Sequence, residues 1–162
     1  MSIYTLEKKQ FIKSDLDSVW AFFSTPKNLK TLTPSEMNFE IIRISKDMGA
    51  YAGQMIEYRV TVLPGVRIKW LTEITHVQTR SFFVDEQRVG PYAIWHHEHH
   101  FVEKDGGVEM TDIITYRIPF GILGDLLSPM IGKRLKRIFD FRYDQTEKIF
   151  AETERAVSLL QE

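Results

Sequence analysis

The hydrophobic pattern along the chain changes period twice. Ile3 to Lys13 is apolar and β-prone enough for a first strand, after which Leu16, Val19, Trp20 and Phe23 recur at helical spacing behind a Ser14-Asp15 N-cap. Thr25-Pro26 opens a second short helix through Leu29 and Leu32, and Thr33-Pro34 ends it. The period then becomes two. Phe39-Ile41, Ile56-Tyr58-Val60-Val62, Ile68-Trp70-Thr72-Ile74 and Phe83-Asp85-Gln87-Val89 read as successive strands. The breaks between them, Gly49 to Gly53, Leu63-Pro64-Gly65, His76 to Arg80 and Gly90-Pro91, are short, and short connections favour antiparallel neighbours in a meander.

The last hairpin can be placed in register. Asp105-Gly106 is a strong turn signal, expected here as a type I′ turn with positive φ at both residues, and it pairs Lys104 with Gly107. Counting back sets Phe101 opposite Met110, His99 opposite Asp112, His97 opposite Ile114 and Trp95 opposite Tyr116, all on one face. The other face carries His96, Glu98, His100, Glu109, Thr111 and Arg117. The first set is the more apolar, so it is the face expected to be covered, with His96 and His100 toward solvent.

After Pro119 the period returns to 3.6. Ile131, Leu135, Ile138, Phe139, Thr146, Ile149, Phe150, Val157 and Leu160 trace an apolar stripe about 28 residues long, or about 40 Å of helix. Gly121, Gly124 and Pro129 break the segment before it, so a separate short helix or turn is expected around Leu123 to Leu127. One strand, two short helices, a six-strand meander and a long C-terminal helix make an α+β chain. An antiparallel sheet of about seven strands wraps around that helix, in one domain over residues 1–162.

Composition narrows the function. The formal net charge is −1, without the broad basic field that nucleic acids or anionic membranes attract, so no nucleic-acid partner is expected. No cysteine is present, which removes disulfides, thiol nucleophiles and thiolate metal sites. The N-terminus lacks an apolar signal core and no window approaches a membrane span, so a cytoplasmic location without membrane insertion is expected.

Four of the five histidines crowd His96-His97-Glu98-His99-His100. Strand parity divides them, leaving His97 and His99 inside with Asp112 across from His99. Three readings of that group stand side by side. His99 and Asp112 can pair across the strands, the carboxylate fixing the imidazole tautomer and raising its pKa. Two histidines and one carboxylate can also hold iron or zinc. A His-Asp pair in an apolar cavity can act as general base, with His99 and Asp112 as the catalytic candidates. No GxSxG elbow accompanies them, and Gly49 to Gly53 neither precedes Gly-Lys-Ser/Thr nor opens a helix. A loop at a cavity mouth is its expected role. Lys133-Arg134-Leu135-Lys136-Arg137 has the charge pattern of a solvated helix, with contact to an anionic ligand or headgroup as an alternative. Pro119 to Leu127 is apolar and glycine-rich, a covered bend, a lid or an interface, and Phe141 with Tyr143 is a candidate homodimer contact.

The residues Phe83-Val84-Asp85-Glu86-Gln87-Arg88-Val89-Gly90-Pro91-Tyr92, then Trp95 to Phe101, then Thr111-Asp112 to Pro119-Phe120-Gly121, carry a resemblance that spans the chain. The sequence resembles the SRPBCC superfamily, which includes START lipid-transfer domains, the major birch pollen allergen family and polyketide cyclases. It is similar to a bacterial branch that also occurs fused to sugar-epimerase-like domains in proteins labelled cell-division inhibitors. The resemblance implies a helix-grip fold with an internal cavity and does not imply a metal cofactor. Parity places Tyr58, Trp70, Phe83, Asp85, Gln87, Trp95, His97, His99, Asp112 and Tyr116 toward that cavity, together with Met110 and Ile114. The expected function is binding of a small, largely apolar ligand, lipid-like or polyketide-like, without cofactor or metal. The alternatives are a cyclase- or hydrolase-type enzyme using the His-Asp pair and a regulatory protein-interaction domain.

Overall fold

Alternation of side chains along six consecutive strands leaves one face of the sheet apolar, and that face must be covered. In the computed structural model, which describes residues 2–159, the cover is the C-terminal helix. The elements are β1 (Tyr4–Ile12), α1 (Leu16–Phe23), short 3-10 turns at Pro26–Lys30 and Ser35–Met37, β2 (Glu40–Ile44), β3 (Gln54–Leu63), β4 (Val66–Gln78), β5 (Phe82–Val89), β6 (Ile94–Lys104), β7 (Gly107–Arg117) and α2 (Ile122–Leu159). All strands join one 7-stranded antiparallel sheet in the order β1-β7-β6-β5-β4-β3-β2. Register shifts in the β2/β3, β3/β4 and β4/β5 pairs bend the strands, as bulges do.

Local chemistry explains the helix starts. Asp15 caps α1 through a carboxylate oxygen that accepts from the Ser18 N–H at 2.8 Å. The second short helix is a 3-10 turn, with Pro26 pre-set at its start and the Asn28 amide tied back to the Phe22 carbonyl at 2.9 Å. The β6/β7 register is the expected one, with Lys104 facing Gly107, Phe101 facing Met110 and His99 facing Asp112. Its turn differs in type. Gly106 has φ 79° but Asp105 is not among the positive-φ residues, so a type I′ turn is excluded while the two-residue loop keeps the register.

The expected break before the long helix is absent. α2 runs 38 residues without interruption and holds Pro129 inside it. Proline removes the N–H that would bond the Asp125 carbonyl; the Ser128 hydroxyl donates to that carbonyl instead, at 2.7 Å. The stripe then docks on the concave face. Leu135 and Phe139 pack with Ile114, Tyr116 and Ile118, and Phe150 joins the larger cluster around Phe23, Phe101 and Met110. Leu160 and the side chain of Val157 lie outside the described residues. No described helix is long and apolar enough to cross a membrane.

The helix start is fitted tightly against the preceding strand end. A Cβ on Gly124 would lie 2.0 Å from the Pro119 carbonyl oxygen and 3.2 Å from Ile118 Cγ2. Gly124→Ala, which in an open helix gains about 1 kcal/mol of propensity, should therefore lower stability, by about 1–3 kcal/mol. Urea denaturation checks this, and a stabilised variant contradicts the close fit.

Candidate functional site

The sheet and α2 do not close completely on each other. Between them lies a cavity of about 460 Å³, bounded by β3 to β6, α1, the 3-10 turns and α2 as far as Arg142. Tyr58, Trp70, Tyr92 and Trp95 form one aromatic wall: Tyr58 stacks on Trp70 at 5.8 Å, and Trp95 meets Trp70 edge-on at 5.3 Å. Leu63, Leu127 and Met130 line the cavity and are also exposed, which places its mouth between the β3/β4 tip and the start of α2. Ala50, in the Gly49 to Gly53 loop, lines the cavity too.

Polar groups gather at the inner end. Asp85 on β5 faces His97 on β6, and His99, two residues on, faces Asp112 on β7. Each imidazole thus lies between two carboxylates. His97 Nε2 is 2.9 Å from Asp112 Oδ1 and its Nδ1 is 3.3 Å from Asp85 Oδ2. His99 Nε2 is 2.9 Å from Asp85 Oδ2 and its Nδ1 is 2.9 Å from Asp112 Oδ1. The His97 and His99 rings are 3.8 Å apart, and His99 stacks on Phe83 at 4.1 Å. Arg142 of α2 completes the group, with Nε 3.9 Å from Asp112 Oδ2 and a terminal nitrogen 3.5 Å from His99 Nδ1. Its guanidinium also lies over the Phe23 and Phe139 rings.

These contacts set the charges. Burial works to raise the carboxyl pKa of Asp85, but the charge on His97 and hydrogen bonds from both imidazoles outweigh it and hold Asp85 well below the usual carboxylate range. Burial likewise opposes ionisation of Asp112, where the Arg142 charge and the two histidines prevail and hold it well below that range. Burial lowers the pKa of His97, yet the two carboxylates more than compensate and raise it. For His99 burial and the neighbouring His97 charge win, and its pKa falls. The cluster thus brings together two carboxylates held ionised, the Arg142 guanidinium and two imidazoles, of which His97 is the more readily protonated.

The expected site residues fall into two groups. Tyr58, Trp70, Phe83, Asp85, Trp95, His97 and His99 line the cavity. Gln87, Asp112 and Tyr116 do not, nor do Met110 and Ile114. Asp112 lies behind the two imidazoles, and Tyr116 is buried in the cluster around Leu135 and Phe139. The Gln87 amide is spent on a loop, donating to the Tyr92 carbonyl at 2.6 Å and accepting from the Tyr92 N–H at 3.1 Å. That clasp sets Pro91 and Tyr92 into the cavity wall. The expected His99–Asp112 pairing is therefore half of the observation, because Asp85 bonds His99 and Asp112 bonds His97. On the other face of β6, His96 bonds Glu86 and His100 bonds Glu98, all half-exposed.

Arg142 carries a central part of the site and is absent from the residues that the sequence singles out. Its signal is nonetheless present: 142 falls on the spacing of Leu135, Ile138, Phe139 and Thr146, a lone cation on an apolar stripe. Trp70 Nε1, Gln54 Oε1 and Arg142 Nε are buried without a hydrogen-bond partner among the described residues, and all three side chains line the cavity.

No family model and no curated protein matches the chain. Solved structures do. Protein TTHA0849 from Thermus thermophilus is 17% identical with a TM-score of 0.69, covering 93% of this chain and 99% of that one. Ara h 8.0201 is 15% identical with a TM-score of 0.57, covering 90% and 98%. A nucleoside-diphosphate sugar epimerase from Corynebacterium glutamicum is 21% identical with a TM-score of 0.65, the likeness covering 94% of this chain and 30% of the epimerase chain. At these identities the likeness is one of fold. The fold is the helix grip, with the sheet curled around a long C-terminal helix.

The charge set has a pH signature. Asp85 and Asp112, with lowered pKa values, stabilise the fold above about pH 4 and lose that contribution as pH falls through their lowered values. His97, raised, contributes below about pH 6.5 and loses its contribution as pH rises through its raised value; His99, lowered, costs stability as pH falls below about 6.5. The two histidines oppose each other, so the main loss is expected in acid. Urea midpoints should fall steeply below about pH 4. Asp112→Asn should cost about 3–5 kcal/mol at neutral pH and flatten the acid limb, and an unchanged limb refutes the assignment.

Proposed function

We propose that the protein binds a small, largely apolar molecule whose polar end is a hydrogen-bond acceptor or an anion. The observation that carries this reading is the juxtaposition of an aromatic-walled cavity of about 460 Å³ with a buried His-Asp-Arg cluster at its inner end. The apolar body of the ligand lies along Tyr58, Trp70 and Trp95. Its polar end meets Trp70 Nε1 and Arg142 Nε, neither of which has a hydrogen-bond partner among the described residues, although Arg142 Nε is 3.9 Å from Asp112 Oδ2. Phe120, Ile122, Leu123 and Leu126 are 81%, 88%, 69% and 77% exposed, beside the mouth residues Leu127 and Met130. Such a rim gives an apolar ligand a path of entry. The helix-grip likeness to Ara h 8.0201 and the SRPBCC-like stretch from Phe83 to Phe101 support a ligand-holding use of the fold, and the likeness to part of the epimerase chain supports the epimerase-associated branch.

A catalytic use of the same end is the second reading, favoured by one observation. His99 has the lowered pKa of the two imidazoles, it lines the cavity, and Asp85 bonds its Nε2 at 2.9 Å. A neutral, oriented imidazole is the form that accepts a proton.

Decanoate and decanol separate the polar-end chemistry. Both should quench tryptophan fluorescence, since Trp70 and Trp95 line the cavity, with decanoate the tighter binder. Trp70→Phe should weaken decanoate by roughly 2–10-fold, the worth of one hydrogen bond, and Arg142→Gln by about 10-fold or more. Native mass spectrometry that retains no small molecule, together with no thermal shift from either probe, overturns the binding reading.

A further inference from the structure

Asp85 and Asp112 face the same pair of imidazoles from opposite sides, and the roles of the two acids differ. Asp85 lines the cavity with His97 and His99, whereas Asp112 sits behind them. One donor atom from each of Asp85, His97 and His99 lies within 4.8 Å of the others. Asp85 Oδ2 is 2.9 Å from His99 Nε2 and 3.3 Å from His97 Nδ1. Ligands about 2.0–2.2 Å from a shared metal stand about 3.0–3.5 Å apart on the edges of an octahedron or tetrahedron, so the edges from Asp85 already have metal-site length.

His97 Nε2 and His99 Nδ1 are both 2.9 Å from the single atom Asp112 Oδ1, while Asp112 Oδ2 is turned toward Arg142 at 3.9 Å. A carboxylate behind each ligating imidazole, fixing its tautomer and ring angle, is what metal-bound histidines ordinarily have. His97 Nδ1 stands 3.3 Å from Asp85 Oδ2, farther than the 2.9 Å at which His99 Nε2 bonds the same oxygen.

We propose that Asp85, His97 and His99 form a facial site for one divalent transition-metal ion, zinc or iron(II) in class, with Asp112 and Arg142 as its supporting layer. Two nitrogens and one carboxylate suit those ions and leave coordination positions open. The open side faces the cavity, since all three ligands line it. A carbonyl, carboxylate or hydroxyl oxygen on a cavity ligand would complete the coordination. The metal does not depend on an organic ligand being present, so the site can fail or stand apart from the binding reading above.

The test uses untagged full-length protein, treated with chelator and then titrated with Zn²⁺ or Co²⁺ alone. One ion per chain is expected, and Co²⁺ should develop visible d–d absorption. Asp85→Asn and His97→Gln should abolish stoichiometric binding, and Asp112→Asn should weaken it about 10–100-fold, as loss of a supporting carboxylate does. The surface variant His96→Gln/His100→Gln should bind as the parent does. Should the inner variants not fold, X-ray absorption of the wild-type Zn²⁺ complex decides, with scattering from two imidazoles expected. No binding to the parent protein, binding lost with His96 and His100, or fewer than two imidazoles on the ion overturns the site.

Discussion

A buried carboxylate must be compensated, and this protein places two of them on one face of a sheet. Asp85 and Asp112 stand on β5 and β7 with β6 between them, so only residues of β6 and of the covering helix can reach both. His97 and His99 bridge the acids from β6, and Arg142 descends from α2. An ion taken out of water without such partners costs several kcal/mol, which ties the docking of α2 to the chemistry of the sheet. If the helix were turned so that Arg142 left the face, Asp112 would lose the charge that chiefly holds it ionised. The cation also lies over the Phe23 and Phe139 rings.

How far the sequence shows this arrangement depends on the range of the interactions that set it. The β6/β7 register is legible because a two-residue turn fixes pairing locally, and the pairing holds even though the backbone of Asp105 is not that of a type I′ turn. The β5/β6 register is not legible. Its connection is a longer loop held by the Gln87 side chain on Tyr92, a clasp between residues five apart that no periodicity reports. Without that register Asp85 can be given a face but not a partner, and parity alone sends Gln87 into the cavity it only frames. The length of α2 is hidden for a related reason. Pro129 reads as a break, and only the Ser128 hydroxyl on the Asp125 carbonyl shows how the helix carries through it. A period also says which residues face inward, but not whether the facing layers touch. The cavity follows from the curl of the sheet and the line of α2, both of which are tertiary.

Arg142 matters more than its single position implies. A stripe of apolar residues with one cation reads, on composition, as an ordinary amphipathic helix. In the folded chain that cation is the contribution of α2 to the charge balance of the inner cluster, and it lies at the wall of the cavity. One side chain thus joins the packing of the helix to the polar end of the site.

Stability alone does not account for what is buried here. Replacing a buried ionic cluster by apolar side chains of similar volume is commonly neutral or stabilising, and filling a cavity commonly stabilises as well. This fold has both features in contact: apolar walls that do not meet, ending on charges that are costly to keep dry. Their coincidence is the argument for function. A cavity elsewhere in the core would be a packing fault, and a cluster elsewhere would be a structural network. Together they form a pocket with an oriented polar end, able to distinguish ligands by the group that meets His99, Arg142 and Trp70. The cost to stability falls where a ligand or an ion can return it, since anything that binds only the folded chain stabilises it by mass action.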